Sequence, residues 1–243
     1  SHHLVLSARG RALPAVLTAV VGEGPPGFLD SAVSTLTPVE RIRYDESRMP
    51  HRAREFALTR HAAKVAMGLL TGSPRLDDLE VTNGVFGEPL VNGPRVAGTR
   101  LTVSHSGEVV LALAHDRACP LGVDVQVVDD RALRVAAMVA SDTEQAMVEQ
   151  DQRGAEAVIE MWCAREALSK VLGTGFLVDH ALFALSDVHC DSVDPDRRVW
   201  SFTHFRHYRA TTARIAGHVV ALCGPADGVL VGRRGWPWGT VAF

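Results

Sequence analysis

The chain has 243 residues, 47% of them hydrophobic, and a formal net charge of −3. That length suits one large domain or two small ones with their own cores, and the weak charge argues against a nucleic-acid coat. No apolar run approaches the roughly twenty residues that span a bilayer.

Taken in chain order, "SHHLVLSARGR" (1–11) lacks the long apolar core and small-residue cleavage site of a secretory signal. "AVLTAVVGEGPPG" (15–27) is broken early by Gly, Glu and Pro, so no membrane segment is expected and the cytoplasm is the default setting. Arginines then cluster in "ERIRYDESRMPHRAREFALTRHAAK" (40–64), which is either a solvated helix face or a patch for a small anionic ligand. Apolar residues at Phe56, Leu58, Ala62, Ala63, Ala66, Met67 and Leu70 recur near helical spacing and Gly72 follows as a stop. "LEVTNGVFGEPLV" (79–91) and "TRLTVSHSGEVVLALAH" (99–115) alternate and carry turn signals at Asn83–Gly84 and Ser106–Gly107, which predicts strands joined by hairpins.

A strand, "LGVDVQVV" (121–128), opens the second half. Helical stretches run from Asp130 to Leu172, with Ser141 and Glu144 at capping-box spacing and Gly173 at the end. "RVWSFTHF", "YRATTARIAG" and "HVVALCG" then read as strands. The predicted fold class is α+β: a monomeric pseudo-dimer of two similar helix-plus-antiparallel-sheet halves, 1–120 and 121–243, with a site in the cleft between them. The four cysteines, Cys119, Cys163, Cys190 and Cys223, form neither a CxxC pair nor a zinc spacing and are expected as reduced, mostly buried thiols.

Two polar features stand out of this pattern. In "WCAREALSK" (162–170), Glu166 and Lys170 lie one helical turn apart, which is either an ordinary surface pair or half of a reaction centre. In "GVDVQ" (122–126), period-two alternation sends Asp124 and Gln126 to one face of a strand, and an Asp among valines most often marks an edge that faces water. Neither feature decides alone.

Three stretches in order, "TVSHSG" (102–107), "GVDVQ" and "WCAREALSK", resemble the signatures of the Sfp-type 4′-phosphopantetheinyl transferases: an SHS hairpin, a G-(V/I)-D-(V/I)-E strand and a W-x-x-K-E-x-x-x-K helix. The resemblance implies transfer of the phosphopantetheine arm of coenzyme A, as substrate, to a serine of an acyl or peptidyl carrier protein, with Mg²⁺ (or Mn²⁺) as cofactor and no nucleic-acid or membrane partner. It implies catalytic roles for Asp124, Glu166 and Lys170, and a metal site of Asp124, Gln126 and Glu166. Coenzyme A contacts are implied at Arg52, Arg60, Ser104, His105 and Lys170, with the Gly87–Glu88–Pro89 turn along the adenine. Two positions depart from the pattern: Gln126 replaces a carboxylate, and Arg165 replaces a lysine while keeping its charge. Mg²⁺ normally takes one or two carboxylates plus phosphate oxygens and water, so Asp124 and Glu166 can suffice. Trp162 is expected in the core, and the histidines show no HExxH spacing. The competing expectation is a coenzyme A or nucleotide-binding module that has lost catalysis, with Gln126 as its symptom.

Overall fold

The computed structural model describes residues 1–22, 24–118, 120–150, 153–175, 177–192, 194–232 and 240–243. Cys119 therefore lies outside the described residues, whereas Cys163 and Cys223 are buried and Cys190 is exposed, all three as free thiols. Two antiparallel sheets pack against each other, each with a long helix on its outer face. The first sheet has the order β13-β12-β1-β2-β6-β5, from β1 (His2–Ala8), β2 (Arg11–Val21), β5 (Thr99–Ser106), β6 (Val109–Asp116), β12 (Val229–Gly232) and β13 (Thr240–Ala242). The second has the order β7-β11-β10-β9-β8, from β7 (Gly122–Val127), β8 (Leu185–Cys190), β9 (Arg198–Phe202), β10 (Tyr208–Ile215) and β11 (His218–Pro225).

Alternation along the strands builds the layers. Leu111 and Leu113 of β6 meet Val123 and Val125 of β7 and Val220 and Leu222 of β11 in a shared core between the sheets. The intervening Val110, Ala112 and Ala114 turn outward against Leu58, Ala62, Ala66 and Met67 of α3 (Pro50–Thr71). On the other side, Val219, Ala221 and Cys223 lie under Ala164, Ala167 and Leu168 of α6 (Ala155–Leu172). Both long helices end where predicted, at glycines with left-handed φ, 68° at Gly72 and 72° at Gly173.

The halves share more than element order. In the first, α1 (Phe28–Ser34) precedes α2 (Pro38–Asp45), which opens with a capping box of Thr37 and Glu40; in the second, α4 (Asp130–Val139) precedes α5 (Asp142–Glu149), which opens with Ser141 and Glu144. Each boxed glutamate is buried, and each accepts a strand N–H from 41 residues further on, Val81 in one half and Leu185 in the other. Each also takes a buried cation from the long helix: Lys64 Nζ at 2.5 Å from Glu40, Arg165 at 3.2 Å from Glu144. Each cation bonds the carbonyl five residues before its glutamate, Thr35 O and Val139 O.

The sequence reading missed the β1–β2 hairpin, whose strands precede the first helix, and β8. The hairpin of β3 (Glu80–Asn83) and β4 (Pro89–Asn92) turns over Gly84–Glu88, later than the Asn83–Gly84 signal. The chain also does not divide as two closed sheets, because β12 leaves the second half to pair with β1, and β13 pairs onto β12. Among the described residues no helix is long and apolar enough to cross a membrane.

His115, at the end of β6, carries its proton on Nδ1, which donates to Asp116 O at 2.9 Å, because Nε2 accepts from Leu121 N at 3.4 Å across the link into β7. Burial lowers its pKa to about 4, and Arg100 pushes the same way.

Two measurements follow from this packing. Lys64→Met and Arg165→Met, each leaving a buried glutamate without its cation, should each cost about 3–5 kcal/mol in chemical denaturation. Loss of the exposed Arg9–Asp227 pair should change stability by less than about 0.5 kcal/mol. For His115 the folded pKa lies below the unfolded one, so its contribution is complete above about pH 6.5 and is lost as pH falls through about 4. Between pH 7 and pH 5 the wild type should lose about 2 kcal/mol that His115→Gln does not, measured as the difference in pH slope of urea unfolding.

Candidate active site

The site forms where β7 lies against α6, and a glycine permits the approach. A Cβ on Gly122 would overlap the Ala167 carbonyl oxygen, so only glycine lets the strand's first residue touch helix backbone. Two residues on, Asp124 points to the same side and is covered by the helix. It is 4% exposed, so the water-facing edge expected of an Asp among valines is overturned: β7 is an edge strand, but α6 and β5 close over it.

Asp124 Oδ1 accepts from Lys170 Nζ at 2.6 Å and from Ser104 Oγ at 2.7 Å. Oδ2 is buried and, among the described residues, meets no partner within hydrogen-bond limits, although the buried Cys163 thiol interacts with the same carboxylate. Lys170 therefore reaches past Glu166, its neighbour one turn back, to the strand. Glu166, half-buried, has its carboxyl pushed up to about 7, first by burial and then by the charge of Asp124, with Lys170 opposing. Two carboxylates and one ammonium thus share a poorly solvated space, and a carboxyl that titrates near neutrality is matched to proton transfer. Gln126, opposite Val219 in the β7–β11 register, is half-buried on the same strand face as Asp124.

A cleft of about 150 Å³ opens beside these groups, lined by Glu166, Ser169 and Lys170 from α6, Leu101–Val103 from β5, and Phe86–Pro89. The 86–89 turn is shaped by glycine and by Glu88. Gly87 has φ +82°, Glu88 Oε2 accepts from Phe86 N at 2.9 Å, and a side chain on Gly84 would collide with the Glu88 carboxylate. A second cavity of about 280 Å³ adjoins, sharing Glu88, Pro89, Thr102 and Lys170 and adding Arg100 and His115.

The structure thus gathers Asp124, Glu166, Lys170, Gly87, Glu88 and Pro89. Other predicted residues are engaged differently. Ser104 is 6% exposed and lines neither cavity. His105, on the opposite strand face, is half-exposed with Nε2 3.1 Å from Glu55 of α3. Arg60 is 8% exposed, donates to Asn83 at 3.4 Å and stacks over Phe56, and its buried Nε lies 4.0 Å from the Glu40 carboxylate. Arg52 is exposed on the same helix. Arg165 is a packing cation: its guanidinium is spent on Glu144, Val139 O and His180 O. Trp162 is half-buried and stacks on His180 rather than sitting in the core.

The sequence reading missed Arg100, which donates to Val171 O at 3.5 Å near the end of α6, and the buried Thr102 and His115. No spacing distinguishes them; the polar face Thr102, Ser104, Ser106 on β5 was the one available signal.

Comparison with known proteins adds a match and several partial likenesses. Among curated proteins no sequence matches the chain. Of solved structures, a holo-(acyl-carrier-protein) synthase from Bacillus anthracis str. Ames in complex with CoA (3′,5′-ADP) is 23% identical over 46% of this chain and 96% of that one, with a TM-score of 0.38. A holo-ACP-synthase from Plasmodium yoelii is 17% identical over 46% and 95%, with a TM-score of 0.34. The holo-[acyl-carrier-protein] synthase of Thermotoga maritima is 21% identical over 50% and 72%, with a TM-score of 0.33. The sequence match is to the model of the 4′-phosphopantetheinyl transferase superfamily and covers residues 120–223. That segment, a little under half of the chain, is similar to the superfamily and supplies Asp124, Glu166 and Lys170.

Proposed function

We propose that the protein transfers the 4′-phosphopantetheine arm of coenzyme A to a serine hydroxyl of an acyl or peptidyl carrier protein. The observation that carries this reading is the meeting of Asp124, Glu166 and Lys170 beside the 86–89 turn, inside the segment that matches the superfamily. The serine oxygen forms a bond to the pyrophosphate phosphorus nearest the pantetheine, and the bond from that phosphorus to the oxygen of adenosine 3′,5′-bisphosphate breaks. Glu166 takes the serine proton, directly or through water. Lys170 has three protons and spends one on Asp124, which leaves donors for the pyrophosphate oxygens as charge builds on the leaving group. The 86–89 turn offers a wall for the adenine, and Arg52, Arg60 and His105 are the candidates for the phosphates on the adenosine side.

The residues fit a divalent cation. Asp124 has an oxygen that meets no partner within hydrogen-bond limits among the described residues, and the Glu166 carboxyl is raised by its neighbour's charge; a cation held by Asp124 and Glu166 relieves both. Mg²⁺, when bound, supplies neutralisation of phosphate charge. The alternative of a binding module without catalysis rests on Gln126, which stands where the resembled pattern has a carboxylate. Gln126 can contribute an amide oxygen or hold a water there.

Mass spectrometry of apo-carrier proteins incubated with coenzyme A and Mg²⁺ separates the two readings. Transfer shows as addition of phosphopantetheine; thermal stabilisation by coenzyme A without a mass change would leave only the binding module. Asp124→Asn and Glu166→Gln should each lower kcat by about 10²-fold or more with the fold intact, and Lys170→Ala should also be severe. Gln126→Glu should hold or raise the apparent Mg²⁺ affinity and should retain turnover, in a titration of both Mg²⁺ and coenzyme A.

A further inference from the structure

The edge strands of the two sheets, β5 and β7, run side by side without a backbone ladder. Two hydroxyls take its place. Val125 N donates to Ser104 Oγ at 3.2 Å and Val127 N donates to Ser106 Oγ at 2.9 Å, both across an interval of 21 residues. The constant interval means that the strands are parallel and in register, and that the two serines of the SHS stretch are successive rungs. The next residue on that face, Thr102, has a buried hydroxyl with no hydrogen-bond partner among the described residues and lines both cavities around Lys170. The rungs end where the cleft begins.

Ser104 does more than close a rung, because its proton goes to Asp124 Oδ1 at 2.7 Å. A serine hydroxyl has one proton and two lone pairs. In Ser104 the proton is committed to Asp124, and one lone pair to Val125 N. A phosphate oxygen needs a donor, and Ser104 has none left.

We propose that Ser104 is a positioning residue: it fixes the Asp124 carboxylate and the strand that carries it, and it does not bind the phosphates of coenzyme A. The role rests on the transferase reading above, and it departs from the phosphate contact that the family resemblance implies for this serine. With Lys170 on the same oxygen, Ser104 holds Asp124 so that its other oxygen stays available to a cation. The neighbouring His105 points away from the rungs and remains the phosphate-side candidate of the motif.

The test compares Ser104→Ala, Ser104→Thr and wild type in three readouts: kcat with an apo-carrier protein, coenzyme A affinity by calorimetry, and Mn²⁺ affinity of the free protein by electron paramagnetic resonance. Ser104→Ala should lower kcat and Mn²⁺ affinity ten- to hundredfold, the range for residues that orient metal ligands. Its coenzyme A affinity without metal should stay within about twofold of wild type, since no phosphate contact is lost. Ser104→Thr, which keeps the hydroxyl, should recover most of kcat. The proposal is overturned if Ser104→Ala weakens coenzyme A binding tenfold while kcat and Mn²⁺ affinity hold, or if none of the three readouts moves. Should Ser104→Ala not fold, Ser104→Cys makes the same comparison with a side chain of similar size and a weak donor. A wild type that modifies no carrier protein sinks the transferase reading instead; the Mn²⁺ comparison then decides the role of Ser104, and an unchanged affinity in Ser104→Ala overturns it.

Discussion

Everything at the site depends on how closely β7 can lie on α6. The missing side chain at Gly122 sets that distance, because any Cβ there would overlap the Ala167 carbonyl oxygen. With strand and helix in backbone contact, Asp124 two residues along and Lys170 one turn beyond Glu166 fall within hydrogen-bond reach. A strand held further off would leave Asp124 buried without its ammonium, a far costlier state than the paired one. The glycine thus has a geometric reason, and the charge cluster is its consequence.

Proximity of this kind raises an electrostatic problem that the fold answers in two ways. Asp124 is charge-paired and hydrogen-bonded through one oxygen, so its burial is offset. Glu166 is not, and burial next to a second carboxylate pushes its proton affinity up to about 7. The same strand-on-helix packing that orders one carboxylate makes the other a base suited to neutral pH.

The two halves repeat a buried Glu that meets a long-helix cation and a strand N–H 41 residues further on, yet the charge cluster occurs once. With Lys64 matched to Arg165, the first-half counterparts of Glu166 and Lys170 are Val65 and Leu69. One copy of the helix-on-sheet unit carries the carboxylates and the ammonium, and the other carries the arginine-rich face of α3. Pairing of β12 with β1, and of β13 with β12, ties the end of the second half into the first sheet at the edge opposite β5 and the cleft.

Local chemistry made much of this legible in the sequence. Alternation found the β5–β6 hairpin, β7 and the strands β9 to β11. The glycines at 72 and 173 ended both long helices, and Ser141 with Glu144 marked a helix start, because each of these acts within a few residues of itself. Asp124, Glu166 and Lys170 became candidates through the resemblance of three stretches in order, since the spacing of each was equally that of a surface pair or an edge strand. Thr37 and Glu40 carry the same local signature as Ser141 and Glu144, but local patterns could not reveal that each boxed glutamate meets a buried cation, that Arg165 is spent inside the second half, or that the hydroxyl of Ser104 turns inward to Asp124. Nor could they show that Lys170 passes over the glutamate beside it. Those outcomes are set by which buried groups meet across the sheets, where an unpaired donor or charge costs more than any helical or strand preference, and that accounting exists only once the chain has folded.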